Sequence, residues 1–327
     1  MISMDNNQET RVRLDTNESP FNTPYNRFPD DALEQLKLSY GKRENIPPSC
    51  IYFCGNGTEQ AADLCLRLFC LHGDLAATAV PTRSVYRRRA LAAGIELQEV
   101  ALSAADDYRF RCAAFMQRVN PRASLLFLCS PNCPTGQLLP VAELEALLSR
   151  FKGWVVVDES YIDFTPRQTV LPLLARHANL LLFRSFSRGW SAASLRVGVI
   201  LARPSVVSRI AEAGYTYPLS SMQIEEVQRH LRKISDVCKW QRALVEERGR
   251  MAAALRQLPG CTKVYDSPAN FLLVSFADNE AVERALLQRG IRVKRYAEGL
   301  RITIGLPSDN AALLAVLRSN CPAGRSV

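Results

Sequence analysis

The chain has 327 residues, 47% of them hydrophobic and 22% charged, the profile of a folded globular protein with a substantial core. No apolar run reaches the roughly 18–20 residues of a membrane-crossing helix, and the polar, partly acidic N-terminus shows no evident signal- or transit-peptide pattern. The net charge of +9 comes from Lys and Arg interspersed with Asp and Glu, densest at Arg87-Arg88-Arg89, without the basic, aromatic-interleaved stripe of a nucleic-acid binder.

Ten cysteines are spread along the chain, several in strand-like runs such as Leu125-Leu126-Phe127-Leu128-Cys129, and only three histidines accompany them. Neither a zinc spacing nor a disulfide framework results. Reduced buried thiols, no metal and a cytoplasmic location are the expectation.

Residues 1–45, rich in Asn, Asp and Pro, read as an N-terminal arm. Short β-like runs then alternate with helical patterns. The runs are Ile51–Phe53, Leu75–Val80, Ile95–Val100, Leu125–Cys129, Trp154–Val157, Leu180–Phe183 and Val197–Leu201; helices are expected at Glu59–Phe69, Val85–Ala93 and Val141–Arg150. Such alternation predicts an α/β domain with a mainly parallel sheet and a ligand site at the carboxyl ends of its strands. Residues 221–257 carry apolar residues at helical spacing (Ile224, Val227, Leu231, Ile234, Val237) and read as one or two long helices leading to a second domain. That domain shows strands at Phe271–Phe276 and Arg301–Ile304 around a helix at Asn279–Gln288.

Two loops stand out on their own residues. Gly55-Asn56-Gly57-Thr58-Glu59-Gln60 follows a strand and opens a helix, so its backbone N–H groups and the positive helix end can seat a phosphate. A plain strand–helix turn with Thr58 as N-cap is the alternative. Val155-Val156-Val157-Asp158-Glu159-Ser160-Tyr161 sets a carboxylate at the end of a buried strand; read locally, it is a helix-capping aspartate followed by a core tyrosine.

The segment Arg184-Ser185-Phe186-Ser187-Arg188-Gly189-Trp190, continued to Arg196-Val197-Gly198, resembles the cofactor-lysine segment of fold-type I pyridoxal-phosphate (PLP) enzymes. Further ordered matches are Leu14-Asp15-Thr16-Asn17-Glu18-Ser19-Pro20, Tyr25-Asn26-Arg27-Phe28-Pro29-Asp30, Pro268-Ala269-Asn270-Phe271-Leu272 and Leu300-Arg301-Ile302-Thr303-Ile304-Gly305. The resemblance covers most of the chain and is closest to histidinol-phosphate aminotransferase and threonine-phosphate decarboxylase. It implies a PLP-dependent transferase fold of type I: an arm at 1–45 joining the small domain, a large domain at 46–235 and a small α+β domain at 236–327. It also implies a homodimer with its active site at the interface and a small-molecule substrate.

By the same resemblance, Gly57, Thr58, Glu59, Ser185, Ser187 and Arg196 would grip the PLP phosphate. Asp158 would pair with the pyridine nitrogen and Tyr161 with the ring's O3′. Arg301 would fork onto a substrate carboxylate, with Asn17 and Phe28 on the substrate side and Phe28 approaching the neighbouring subunit. Lys294 reads as a surface lysine.

The chain departs from that pattern at four positions. Arg188 occupies the place of the Schiff-base lysine, and a guanidinium stays protonated and offers no nucleophilic lone pair. Cys133, in Ser130-Pro131-Asn132-Cys133-Pro134-Thr135-Gly136, replaces the asparagine that donates to O3′. Arg83, in Pro81-Thr82-Arg83-Ser84-Val85-Tyr86, replaces the aromatic residue stacked on the ring, and Phe28 lacks a tyrosine's hydroxyl. Joint change at four positions fits natural divergence.

Three functions follow as expectations. The chain is an enzyme holding PLP or pyridoxamine phosphate non-covalently, with Tyr161, Cys133, a substrate group or water moving the proton. Alternatively it is a cofactor-free enzyme reusing the phosphate and carboxylate pocket, with Arg188 and Arg83 adding positive charge. The third is an inactive homologue with a binding or regulatory role.

Overall fold

The computed structural model describes residues 14–71 and 73–320; residues 1–13 of the expected arm and Cys321 lie outside them. Seven strands form the large sheet: β1 (Ile51–Cys54), β2 (Leu75–Val80), β3 (Glu96–Ala101), β4 (Ala123–Cys129), β5 (Trp154–Asp158), β6 (Leu180–Ser185) and β7 (Gly198–Leu201). Their order is β1-β7-β6-β5-β4-β2-β3, with β7 antiparallel to both neighbours and the other pairings parallel. The parallel strands need crossovers, and helices α2 (Gly57–Phe69), α3 (Val85–Ala92), α4 (Cys112–Arg118) and α5 (Val141–Arg150) supply them. The expectation of an α/β fold with a mainly parallel sheet holds.

Side chains alternate between the two faces of the sheet. Leu126 and Leu128 enter one core, while Leu125 and Phe127 enter the other. Burial on both faces explains why these strands read as continuous apolar runs in the sequence.

Helix α1 (Asp30–Glu44) was not expected, because its sequence DDALEQLKLSYGKRE presents only a thin apolar stripe. It lies within the expected arm, yet it packs on the large sheet rather than on the small domain. Leu36 and Tyr40 are buried in the core that holds Ile51 and Phe53, and the Tyr40 ring lies 5.7 Å from Phe53 and 5.8 Å from Phe186. Helix α6 (Pro204–Ala213) follows β7.

The stretch 221–257 forms two helices, α7 (Ser221–Arg232) and α8 (Ile234–Arg256), broken at Lys233. Ser220 and Gln223 make a capping box at the start of α7. Helix α8 connects the domains: Val237 lies in the large core, whereas Met251 and Leu255 lie in the small one.

The small domain holds an antiparallel sheet of order β10-β11-β9-β8. Its strands are β8 (Cys261–Val264), β9 (Phe271–Phe276), β10 (Lys294–Tyr296) and β11 (Gly299–Thr303), packed with α9 (Asn279–Gln288) and α10 (Pro307–Asn320). Strands β8 and β10 and helix α10 escaped sequence reading, the two strands being short and largely exposed.

Behind the ends of β5 and β6 lies a buried ionic network. Arg184 pairs with Glu159 at 2.9 Å and with Glu44 of α1 at 3.6 Å. Burial raises the Glu159 carboxyl, and Arg184 pulls it back only in part. Asp163 packs so closely on Gly189 that a Cβ there would lie 2.6 Å from its Oδ2, and the Trp190 indole donates to its carboxylate. Burial, against the pull of Arg184, brings the Asp163 carboxyl up to about 6 from 3.8. The folded chain then keeps a proton that the unfolded chain has already lost, so this contribution to stability falls as pH rises from about 4 through about 6. Asp163→Asn, which stays neutral, should gain thermal stability relative to the wild type over that rise. A difference in Tm that is independent of pH would show that Asp163 does not titrate there.

Gly198, at the start of β7, faces the turn before α2. A Cβ there would lie 2.6 Å from the Gly57 carbonyl carbon and 2.9 Å from the Thr58 nitrogen. Gly198→Ala should therefore displace that turn and cost about 1–3 kcal/mol, the usual range for overpacking. Urea denaturation measures it.

Candidate active site

The carboxyl ends of the parallel strands, with the start of β7, gather their loops around one cleft of ≈ 280 Å³. Five arginines line it: Arg83, Arg88, Arg188, Arg196 and Arg301. No lysine does.

One end gathers the groups of a cradle that could hold an anion. Gly57 takes φ +68°, a left-handed conformation suited to glycine, and opens α2 with the amides of Thr58 and Glu59 in its first turn. Asn56, not Thr58, is the N-cap residue, so Thr58 keeps its hydroxyl for the cleft. The Arg196 fork closes the cradle: Nη2 donates to the Asn56 carbonyl at 3.5 Å and Nη1 to Ser187 Oγ at 3.5 Å. The Ser185 hydroxyl accepts from the Ser187 amide at 3.2 Å. The Glu59 carboxylate turns away to Arg88, 2.6 Å off, so only its backbone serves the cradle.

At the centre stands Asp158, the last residue of β5, with 0% exposure. It caps no helix. Its Oδ2 accepts from an Arg83 Nη1 and from the Tyr86 hydroxyl at 2.9 Å. Its Oδ1 accepts from the Ser160 amide at 3.0 Å and from the Ser160 hydroxyl. The same Arg83 nitrogen also lies 3.3 Å from Thr58 Oγ1 and from Ser160 Oγ. Burial disfavours the Arg83 charge, but Asp158 and then Tyr86 outweigh it and hold the guanidinium above its ordinary range.

The other end comes from both domains. Arg301 of β11 donates from Nη1 to the Cys133 sulfur at 2.8 Å and to the Tyr296 hydroxyl at 3.2 Å, and it rests over the Phe271 and Tyr296 rings. Its Nε is buried without a hydrogen-bond partner. Arg188 is exposed toward the cleft, with Cζ 5.8 Å above the Tyr161 ring, and makes no ion pair among the described residues. Burial, followed by Cys133, pushes the Tyr161 hydroxyl well above its usual range, and the same two causes bring Tyr296 to about 12. Both phenols are therefore donors at neutral pH.

The cleft thus gathers Thr58, Glu59, Arg83, Cys133, Tyr161, Ser185, Ser187, Arg188, Arg196 and Arg301, with Gly57 and Asp158 directly behind the lining. Asn17 and Phe28 stand outside the lining. Asn17 is exposed, and Phe28, 44% exposed, stacks on Tyr217 at 4.3 Å. Tyr86, Ser160, Arg88 and Tyr296 were missed. Tyr86 sits one helical turn after Arg83, a spacing that could have signalled it; Tyr296 faces Gly299 across a hairpin too short to read.

PLP tests this geometry in two halves. Its phosphate fits the cradle. Its pyridine ring does not fit, because a ring nitrogen needs an Asp158 oxygen and four protein donors already fill the carboxylate's roughly four acceptor positions.

Comparisons with known proteins agree on the family. The profile described as Aminotransferase class I and II matches residues 27–317. A histidinol-phosphate aminotransferase of Bacteroides fragilis is 32% identical over 314 residues, covering 94% of this chain and 90% of that one. One from Xanthomonas campestris pv. campestris is 33% identical, with the same two coverages of 94% and 90%. The crystal structure of histidinol-phosphate aminotransferase from Sinorhizobium meliloti in complex with pyridoxal-5'-phosphate superposes with a TM-score of 0.82 at 20% identity, over 90% of this chain and 83% of that one, which supports the fold. The chain belongs to the class I and II aminotransferase family.

Proposed function

We propose that this chain is a diverged aminotransferase-family enzyme that binds a small phosphorylated or carboxylated metabolite and works without a Schiff-base lysine. Arg188 stands where the family's lysine would stand. The observation that carries this reading is the cleft itself, which keeps a phosphate cradle and a carboxylate-type arginine but presents arginine and no lysine at its centre. A guanidinium can bind and orient an anion bidentately but cannot form an imine. Arg196 and the α2 amides would hold a phosphate, Arg301 and Arg188 a carboxylate, and Tyr161 and Tyr296 would donate hydrogen bonds. As in the family it resembles, the chain would work as a homodimer.

A second reading keeps PLP or pyridoxamine phosphate, held non-covalently. Family membership and the retained Asp158 favour it, and it requires Arg83 to leave Asp158. PLP supplies an electron sink to a bound amino compound when present.

Borohydride reduction of the protein with added PLP, followed by peptide mass mapping, should find no pyridoxyl group on any lysine of the cleft. Transamination of histidinol phosphate with 2-oxoglutarate should be absent or slower by orders of magnitude than in a lysine-bearing relative. A pyridoxyl-lysine adduct with restored turnover would overturn the reading.

Arg196→Ala should weaken binding of a phosphate monoester by about 10- to 100-fold, the worth of a hydrogen bond to a charged group. Calorimetry measures it. Phosphate esters that fail to bind the wild type, with Arg196→Ala unchanged, would leave an inactive homologue.

A further inference from the structure

We propose that Arg83 is the built-in cation of this cleft, standing where a cofactor ring would otherwise meet Asp158. The cleft then receives its metabolite directly, as a small acid with a phosphate at one end and a carboxylate at the other. This rests on the anion-binding reading above and adds the ligand's class and the absence of an intervening cofactor.

The first support is saturation. Asp158 is fully buried, and its two oxygens take donors from Arg83, Tyr86 and Ser160. An isolated buried carboxylate would be costly, and here the protein neutralises it. An incoming pyridinium would have to displace a charge already paired.

The second support is anchorage. The Arg83 side chain is 20% exposed, and its Nη1 also touches Thr58 and Ser160, so the guanidinium is pinned between the phosphate cradle and the end of β5. Its binding groups come from β5, the turn just after it and α2, and Tyr86, which shares the same Asp158 oxygen, is itself stacked on Phe127 at 4.9 Å.

Charge matching gives the ligand class. Of the five lining arginines, Arg83 is paired with Asp158 and Arg88 with Glu59. Arg188, Arg196 and Arg301 have no carboxylate partner among the described residues. Three unpaired guanidiniums suit a ligand of charge near −3. A phosphate monoester carries about −1.5 to −2 at neutral pH and a carboxylate adds about −1. Arg196 marks the phosphate end, while Arg301, held over two aromatic rings, marks the carboxylate end. A phosphorylated hydroxy acid has both groups and no ammonium to repel the arginines.

The test is calorimetric titration of the full-length protein with 3-phosphoglycerate and with pyridoxamine phosphate. The wild type should bind 3-phosphoglycerate at least tenfold more tightly. Arg83→Tyr, which uncovers Asp158 and offers a stacking ring, should shift the affinity ratio at least tenfold toward pyridoxamine phosphate. Asp158→Asn, which frees Arg83 instead, should keep or strengthen 3-phosphoglycerate binding; it also serves if the Arg83 variant fails to fold by circular dichroism. Tighter binding of pyridoxamine phosphate by the wild type would overturn the proposal, as would an unchanged ratio in Arg83→Tyr or a loss of 3-phosphoglycerate binding in Asp158→Asn. If neither compound binds the wild type and Arg196→Ala changes nothing, the anion-site reading itself has failed. If both phosphates bind equally and Arg196→Ala weakens both, that reading survives and only the present proposal is lost.

Discussion

A carboxylate shut away from water must be met by donors, and Asp158 is such a group at the end of the middle strand of the large sheet. Much of the site's arrangement follows from how it is met. Arg83 comes from the loop after β2 and reaches across the end of β4 to Asp158 on β5, since β4 lies between the two strands. Tyr86, one turn further along, reinforces the reach. The pairing ties three adjacent strand ends together and draws the Arg83 loop against Thr58, and hence against the anion cradle. Removing one partner of a buried pair typically costs about 3–5 kcal/mol because the other charge is stranded. The exposure of Arg83 to the cleft moderates that cost.

The cradle depends on close backbone approach rather than on charge alone. Gly198 lets β7 run hard against the Gly57–Thr58 turn, and Arg196, two residues earlier at φ +58°, turns its guanidinium over that turn. Two segments some 140 residues apart in sequence are thereby held at van der Waals distance.

The large sheet was legible because its strands are buried on both faces and so betray themselves as apolar runs such as Leu180–Phe183. The lining residues Thr58, Ser185, Ser187, Arg196 and Arg301 were legible because each belongs to a segment that resembles the family's. Elements stabilised mainly by tertiary packing were not. Helix α1 reads as polar arm, yet Leu36 and Tyr40 seat it on the main core; β10 spans three residues with little burial. The Arg83 contact was not fixed in the sequence, where Arg83 and Arg188 both read as added positive charge in the pocket. The choice depends on reach: Arg83 meets the carboxylate, while Arg188 lies over Tyr161. Asn17 and Phe28 show the converse, two matched residues that stand outside the cleft of their own chain.

Cys133 and Arg301 sit in different domains and meet across the cleft. The arginine at the far end is therefore carried by one body and the cradle by the other. The Cys133–Arg301 contact is where the two bodies touch at this end of the cleft. Gln241 of α8, which donates to the Gly189 carbonyl at 3.1 Å, ties the helix that joins the domains to the loop that bears Arg188. The spacing between Arg196 and Arg301 is thus a property of how the two domains pack and not of either domain alone.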